Sequence, residues 1–195
     1  MKSIKYIIAL IAVVFCIRAN AQDRYNYFQM AAYGGYEWFS DTFSHSGYAV
    51  DINMDYHFHK TFYASLLCHI GGYEGAYSRE IMVGTSPMQE RFSDSKGVWM
   101  VGIGPGADLV SDRHDRIYVC LYAGYAGVHK TSSTYDEETH IVDNPTSDTK
   151  GFGAVLRLGY EHCFDSGFLL GGAVNGLYVG RNINWSAGIT AGFRF

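Results

Sequence analysis

The sequence predicts an all-β fold, an eight-stranded antiparallel up-and-down β-barrel that crosses a membrane. Three observations predict it. Apolar and polar residues alternate with a period of two in separate segments. Short and long connections follow one another in turn. Aromatic residues stand at both ends of the apolar strand faces.

The last strand carries the strongest of these patterns. Residues 184–195 alternate and stop on an aromatic residue, and the apolar face carries Trp185, Ala187, Ile189, Ala191, Phe193 and Phe195. A period of two over this length predicts a strand with one apolar and one polar side. A chain that ends inside such a strand is typical of the closing strand of a membrane barrel.

Seven earlier segments show the same period between turn signals. They are residues 27–39, 47–58, 61–72, 97–109, 116–128, 151–164 and 167–179. The third and seventh strands alternate poorly, because Leu67 and Leu169 fall on the face that the other strands make polar. Ten strands therefore remain an alternative to eight.

The connections predict which end of the barrel faces outward. Those at 59–60, 111–115 and 165–167 are short, whereas 73–96 and 129–150 are long. Membrane barrels have tight turns on the inner side and long loops on the outer side. We therefore expect two sizeable outer loops. The first is rich in apolar residues, which predicts a contact surface or a lid over the barrel mouth.

The aromatic residues form two predicted belts with aliphatic residues between them, as a bilayer requires of a barrel exterior. Near the long loops stand Tyr36, Trp38, Tyr48, Trp99, Tyr125, Phe152, Tyr178 and Trp185. At the opposite ends stand Phe28, Tyr56, Phe58, Phe62, Tyr160, Phe164, Phe168, Phe193 and Phe195.

The N-terminus predicts export. Lys2 and Lys5 precede an apolar run at 6–15, and residues 19–21 read Ala-Asn-Ala. This is the pattern of a cleaved signal peptide, and the run is too short for a spanning helix. We predict a signal peptide at 1–21 and one barrel domain at 22–195.

Composition and motifs exclude several classes of function. Without residues 1–21, basic residues fall from 15 to 12 against 19 acidic ones, so the net charge moves from −4 to −7. The sequence contains no cluster of basic residues of the kind that predicts nucleic-acid binding. The glycines at 102, 104 and 106 resemble a dinucleotide fingerprint, but no helix follows them. His57 and His59 share a face without a clear third ligand, so we predict neither a metal nor a cofactor.

The signal peptide, the eight strands and the terminal Gly192-Phe193-Arg194-Phe195 resemble the small outer-membrane β-barrel family of Gram-negative bacteria, of the OmpA and OmpX type. The resemblance covers the whole of 22–195. It implies a location in the outer membrane, contact with membrane lipid and lipopolysaccharide, and Phe193 and Phe195 as the signal read by the barrel-assembly machinery. We expect a monomer.

The inward faces predict an interior ion network. An eight-stranded barrel is only wide enough for its own side chains or one small ligand, and buried charges need partners. The predicted network joins the cations Arg157 and Arg194 to the carboxylates Asp51, Asp55, Asp108 and Glu161. A narrow ion path through the lumen is the alternative.

Two classes of function follow for a membrane barrel. The first is a non-enzymatic protein with a structural or surface-interaction role, whose outer loops contact an unknown extracellular or envelope partner. The second is a lipid A-modifying enzyme for acyl transfer or hydrolysis, with His45 and Ser46 beside Asp41 and Ser44 as candidate residues. A third possibility, a soluble lipocalin-like barrel in the periplasm, would invert the faces and bind a small ligand.

Overall fold

The computed structural model describes residues 26–40, 46–83, 86–112, 114–136, 141–179 and 182–195, and these ranges hold ten strands. The strands are β1 (Tyr27–Trp38), β2 (Ser46–His57), β3 (Phe62–Val83), β4 (Ser86–Ser111), β5 (Asp115–Ser132), β6 (Thr134–Asp136), β7 (Ile141–Asp143), β8 (Thr146–Cys163), β9 (Phe168–Val179) and β10 (Asn182–Arg194). Within these ranges no helix is long and apolar enough to cross a membrane.

Eight of the ten strands close into one antiparallel barrel in the order β1-β10-β9-β8-β5-β4-β3-β2. The closure joins the first strand to the last, from the pair Gln29 and Arg194 to the pair Trp38 and Trp185. β6 and β7 form a separate two-stranded sheet between β5 and β8. The predicted eight-stranded up-and-down barrel is confirmed.

The two long outer connections differ from the prediction, because most of their residues are strand. β3 and β4 stay paired through the whole predicted loop, from Tyr73 opposite Lys96 to Val83 opposite Ser86. β5 and β8 remain paired as far as Thr131 opposite Thr146. A strand that leaves the membrane has no apolar face to keep, so its period-two pattern disappears from the sequence although its hydrogen bonds continue.

The barrel exterior is apolar and exposed, with the two aromatic belts at its ends. The outer belt exposes Tyr36, Trp38, Tyr48, Tyr125, Phe152, Tyr178 and Trp185, and the inner belt exposes Tyr56, Phe58, Phe62, Tyr160, Phe164 and Phe193. Between them Ile103 and Ile189 are each 65% exposed. A surface with so much exposed hydrocarbon is stable only against lipid.

The interior is filled by side chains. Leu67 and Leu169 are the apolar residues that fall on the polar side of the predicted alternation. Both are fully buried inside the barrel. Glycines on β4 leave room for large neighbours: a Cβ at Gly106 would collide with the ring of Tyr63. The glycine run therefore serves packing, in agreement with the rejection of a nucleotide motif.

Candidate functional site

The lower half of the lumen is the half nearest the short connections between strands. It is organised around Arg116, the first inward-facing residue of β5, which is 2% exposed. Its Nε donates to Glu161 at 2.9 Å and one terminal nitrogen donates to Asp55 at 3.1 Å. The other terminal nitrogen lies 3.5 Å from Asp108. A guanidinium presents five donors in one plane, which lets a single cation serve three carboxylates.

Aromatic rings enclose this charged cluster. His57 lies stacked between Tyr27 and Tyr63, with ring centroids 4.0 Å and 4.5 Å away. The guanidinium of Arg116 lies 4.5 Å from the ring centroid of Tyr118 and donates to Nε2 of His57 at 3.0 Å. Stacked rings and a cation over aromatic faces fill the lumen at this level.

Neutral donors add hydrogen bonds to two carboxylates of the lower cluster, while Oε1 of Glu161 accepts none from the described residues. Gln29 donates to Glu161 at 2.7 Å, and the hydroxyl of Ser65 donates to Asp55 at 2.6 Å. The same hydroxyl lies 2.9 Å from the hydroxyl of Tyr122. Buried charges are stable when their lone pairs are satisfied in this way.

A second cluster lies around Arg157, which is fully buried on β8. Its guanidinium donates to Asn175 at 2.8 Å and to Asn53 at 3.2 Å, and it also bonds Asp51. The other oxygen of Asp51 lies 2.6 Å from Nδ1 of His69.

His69 links this second cluster to the outer end of the barrel. Its Nε2 lies 3.4 Å from the carboxylate of Glu37, which also accepts a hydrogen bond from Asn184 at 3.0 Å. Both ring nitrogens of His69 therefore face carboxylates, an arrangement that suits an imidazole with a proton on each nitrogen.

Arg194 does not occupy the position that the predicted network gave it. Its guanidinium lies 4.6 Å from the ring centroid of Tyr27, and among the described residues no carboxylate is within 4 Å of it. Arg116, which the sequence reasoning left out, holds the three carboxylates of the lower cluster instead. Arg116 stands two residues before the inward-facing Tyr118, and residues two apart on a strand share a face. That spacing was the signal in the sequence that could have found it.

Of the other candidate residues, the structure describes Ser46, His57 and His59. Asp41, Ser44 and His45 lie outside the described residues, and the hydroxyl of Ser46 contacts that of Tyr36. Instead of joining His57, His59 accepts a hydrogen bond from the backbone of Thr61 at 3.2 Å. Among the described residues no three His, Cys, Asp or Glu side chains could hold a metal ion.

The terminal aromatic residues belong to a ladder of rings at the inner rim. Phe195 exchanges backbone hydrogen bonds of 2.8 Å and 3.2 Å with Phe28. The ring of Phe193 lies 6.5 Å from that of Phe195 and 5.5 Å from that of Phe168. Their reading by the assembly machinery remains a prediction.

The outer mouth is covered by a small cluster at the base of the β3–β4 hairpin. The ring of Phe39 lies 5.2 Å from that of Tyr73, and the ammonium of Lys96 lies 5.0 Å from the centroid of the Phe39 ring. Farther from the membrane, the backbone N–H of Ser133 donates to the carbonyl of Ser93 at 2.9 Å. This hydrogen bond joins β4 to the segment after β5. The paired backbone of the hairpin therefore continues the barrel wall, and Phe39, Tyr73 and Lys96 at its base cover the lumen.

An apolar exterior with two aromatic belts around a charged, filled lumen defines the class of protein: a transmembrane β-barrel of the outer-membrane type. No protein-family model and no curated protein sequence matches the chain.

Solved structures share the fold. Ail, the attachment invasion locus protein of Yersinia pestis, is 10% identical, with a TM-score of 0.54 over 87% of this chain and 99% of that one. Neisserial surface protein A is 13% identical, with a TM-score of 0.51 over 87% and 95%. The outer membrane protein OprG from Pseudomonas aeruginosa is 10% identical, with a TM-score of 0.50 over 88% and 97%. At these identities the likeness shows a shared fold, that of small outer-membrane barrels.

Proposed function

We propose that the protein is a non-enzymatic outer-membrane barrel that contacts a partner through its raised sheet, the part of the β3–β4 hairpin (residues 73–96) that extends beyond the membrane. The observation that carries the proposal is the pairing of β3 with β4, which runs from Tyr73 to Val83 beyond the last pair of β2 with β3, Tyr48 opposite Gly72. A paired sheet holds its side chains in fixed positions, so a partner binds it without the entropic cost of ordering a loop.

The contents of the lumen favour this role over transport. Arg157 and His57 have no exposed surface, and Tyr33, Tyr63 and Tyr118 are each 1% exposed. A barrel of this size filled by its own side chains is a rigid support.

The raised sheet offers surface suited to a protein partner. Beyond Gly72, β3 pairs with β4 on one side only, within the described residues. Met88 near the tip is 50% exposed. Unpaired strand edges and exposed apolar side chains are where other chains bind. Ail, whose fold is similar, is named as an attachment invasion locus protein.

Removing the tip of the hairpin is expected to leave the barrel folded. Gly75 and Asp94 are directly opposite each other, so an Asn-Gly turn in place of 76–93 keeps the register. Heat-modifiable electrophoresis of the variant should still show a mobility difference between boiled and unboiled samples. Loss of that difference would mean that the hairpin is needed for assembly.

The partner itself is tested by a photo-crosslinking amino acid at Met88 in intact cells, with the same group at the membrane-facing Leu121 as the control. We expect discrete protein adducts from position 88 and only lipid adducts from position 121. If the adducts from the two positions were the same, the proposed surface contact would be wrong.

A further inference from the structure

A single row of residues crosses five strands on the outer face of the barrel. Tyr48, Gly72, Gly97, His129 and Asp148 are successive cross-strand partners from β2 to β8. The two neighbouring glycines carry no side chain, so they leave a gap on the outer face between the ring of Tyr48 and the imidazole of His129. Strand spacing places Tyr48 and His129 roughly 14 Å apart across this gap.

The gap is a groove of about 540 Å³, lined by Tyr48, Gly72, Tyr73, Glu74, Ser95, Lys96, Gly97 and His129. A Cβ at Gly97 would meet no heavy atom within 4 Å, so the groove is open above this glycine. Its size falls within the range of small-molecule sites.

The walls of the groove offer an aromatic face and hydrogen-bond acceptors. Tyr48 is 58% exposed. Glu74 is exposed, and no cation among the described residues lies within 4 Å of its carboxylate. The Nδ1 of His129 lies 2.6 Å from Asp148, and the pair is half exposed to solvent.

The charges of the groove disfavour an anionic ligand. Glu74 and Asp148 bring negative charge to the groove and its rim. The cation in the lining, Lys96, is 2% exposed and lies over the ring of Phe39. A phosphate or sulfate would meet the carboxylate of Glu74 here, because the imidazole of His129 is already paired with Asp148 and the exposed Lys150 lies beyond that pair, opposite Gly127. Hydroxyl groups, in contrast, donate well to carboxylates.

We propose that this groove binds the neutral sugar head group of a glycolipid in the outer leaflet. A sugar ring has an apolar face that packs on Tyr48 and hydroxyls that donate to Glu74. The groove lies at the level of the outer aromatic belt, with the exposed Ile70 on β3 and the partly exposed Trp99 on β4 next below it. Lipid head groups occupy that level, so the sugar is one attached to lipid.

The test uses the full barrel in phosphatidylethanolamine nanodiscs that contain either monoglucosyl-diacylglycerol or phosphatidylglycerol with the same acyl chains. Native mass spectrometry measures the lipid retained by the ejected protein. We expect retention of the glycolipid to exceed that of phosphatidylglycerol by about tenfold, the effect of one or two hydrogen bonds. Gly97→Phe and Glu74→Ala should each reduce it by about fivefold or more.

Gly34→Phe is the matched control, because a Cβ at this outward glycine of β1 also meets no heavy atom within 4 Å. It should retain the glycolipid like the unsubstituted barrel. Equal retention of phosphatidylglycerol, or no loss in Gly97→Phe, would overturn the proposal. Soluble lactose that binds as tightly as the glycolipid would overturn the assignment to a lipid-linked sugar.

Discussion

Replacing Arg116 by methionine is expected to lower the free energy of unfolding by about 3–5 kcal/mol, the usual loss when one partner of a buried ion cluster is removed. Arg116 bonds three buried carboxylates, Asp55, Asp108 and Glu161. Without it their negative charges would lie together inside the barrel. The measurement is urea unfolding of the barrel in lipid vesicles, followed by tryptophan fluorescence.

Two further variants distinguish loss of charge pairing from loss of volume. Arg194→Met should cost about 1 kcal/mol, because Arg194 contacts the ring of Tyr27 and no carboxylate within the described ranges. Adding Asp55→Asn and Glu161→Gln to Arg116→Met should restore part of the loss, since the uncompensated charges are then removed. Equal losses for Arg116→Met and Arg194→Met would contradict the assignment of the carboxylates to Arg116.

The membrane part of the fold could be predicted from sequence because the bilayer imposes a rule on every second residue. Leu67 and Leu169 looked like exceptions, yet both lie in the lumen, which tolerates apolar side chains as well as polar ones. Beyond the membrane that rule ends. The strands over 73–83 and 86–96 keep their hydrogen bonds without any alternation that the sequence could show.

The interior contacts were harder to predict than the inward faces. Parity identifies which side chains enter the lumen, and Asp51, Asp55, Arg157 and Glu161 do so. Parity does not show which of them lie at the same height on strands that are not neighbours. Arg116 on β5 meets Asp55 on β2 across the lumen, and this depends on the stagger of the whole barrel.

Gly104→Ala is expected to destabilise the barrel by about 1–3 kcal/mol, or more if the strands cannot shift. A Cβ at this position would collide with the backbone carbonyl of Leu121 on the adjacent strand. A flexible side chain could move away from an added methyl group, but a carbonyl held in the barrel wall can do so only by displacing β5. The same urea titration measures the loss.

Gly34→Ala provides the comparison, since its added methyl group would meet no heavy atom within 4 Å and would point toward lipid. Its effect should stay within about 0.5 kcal/mol, as for other exposed substitutions. A loss in Gly34→Ala as large as in Gly104→Ala would attribute the effect to strand glycines in general. A loss confined to Gly104→Ala would show that the glycines resembling a nucleotide motif are required by the close approach of β4 and β5.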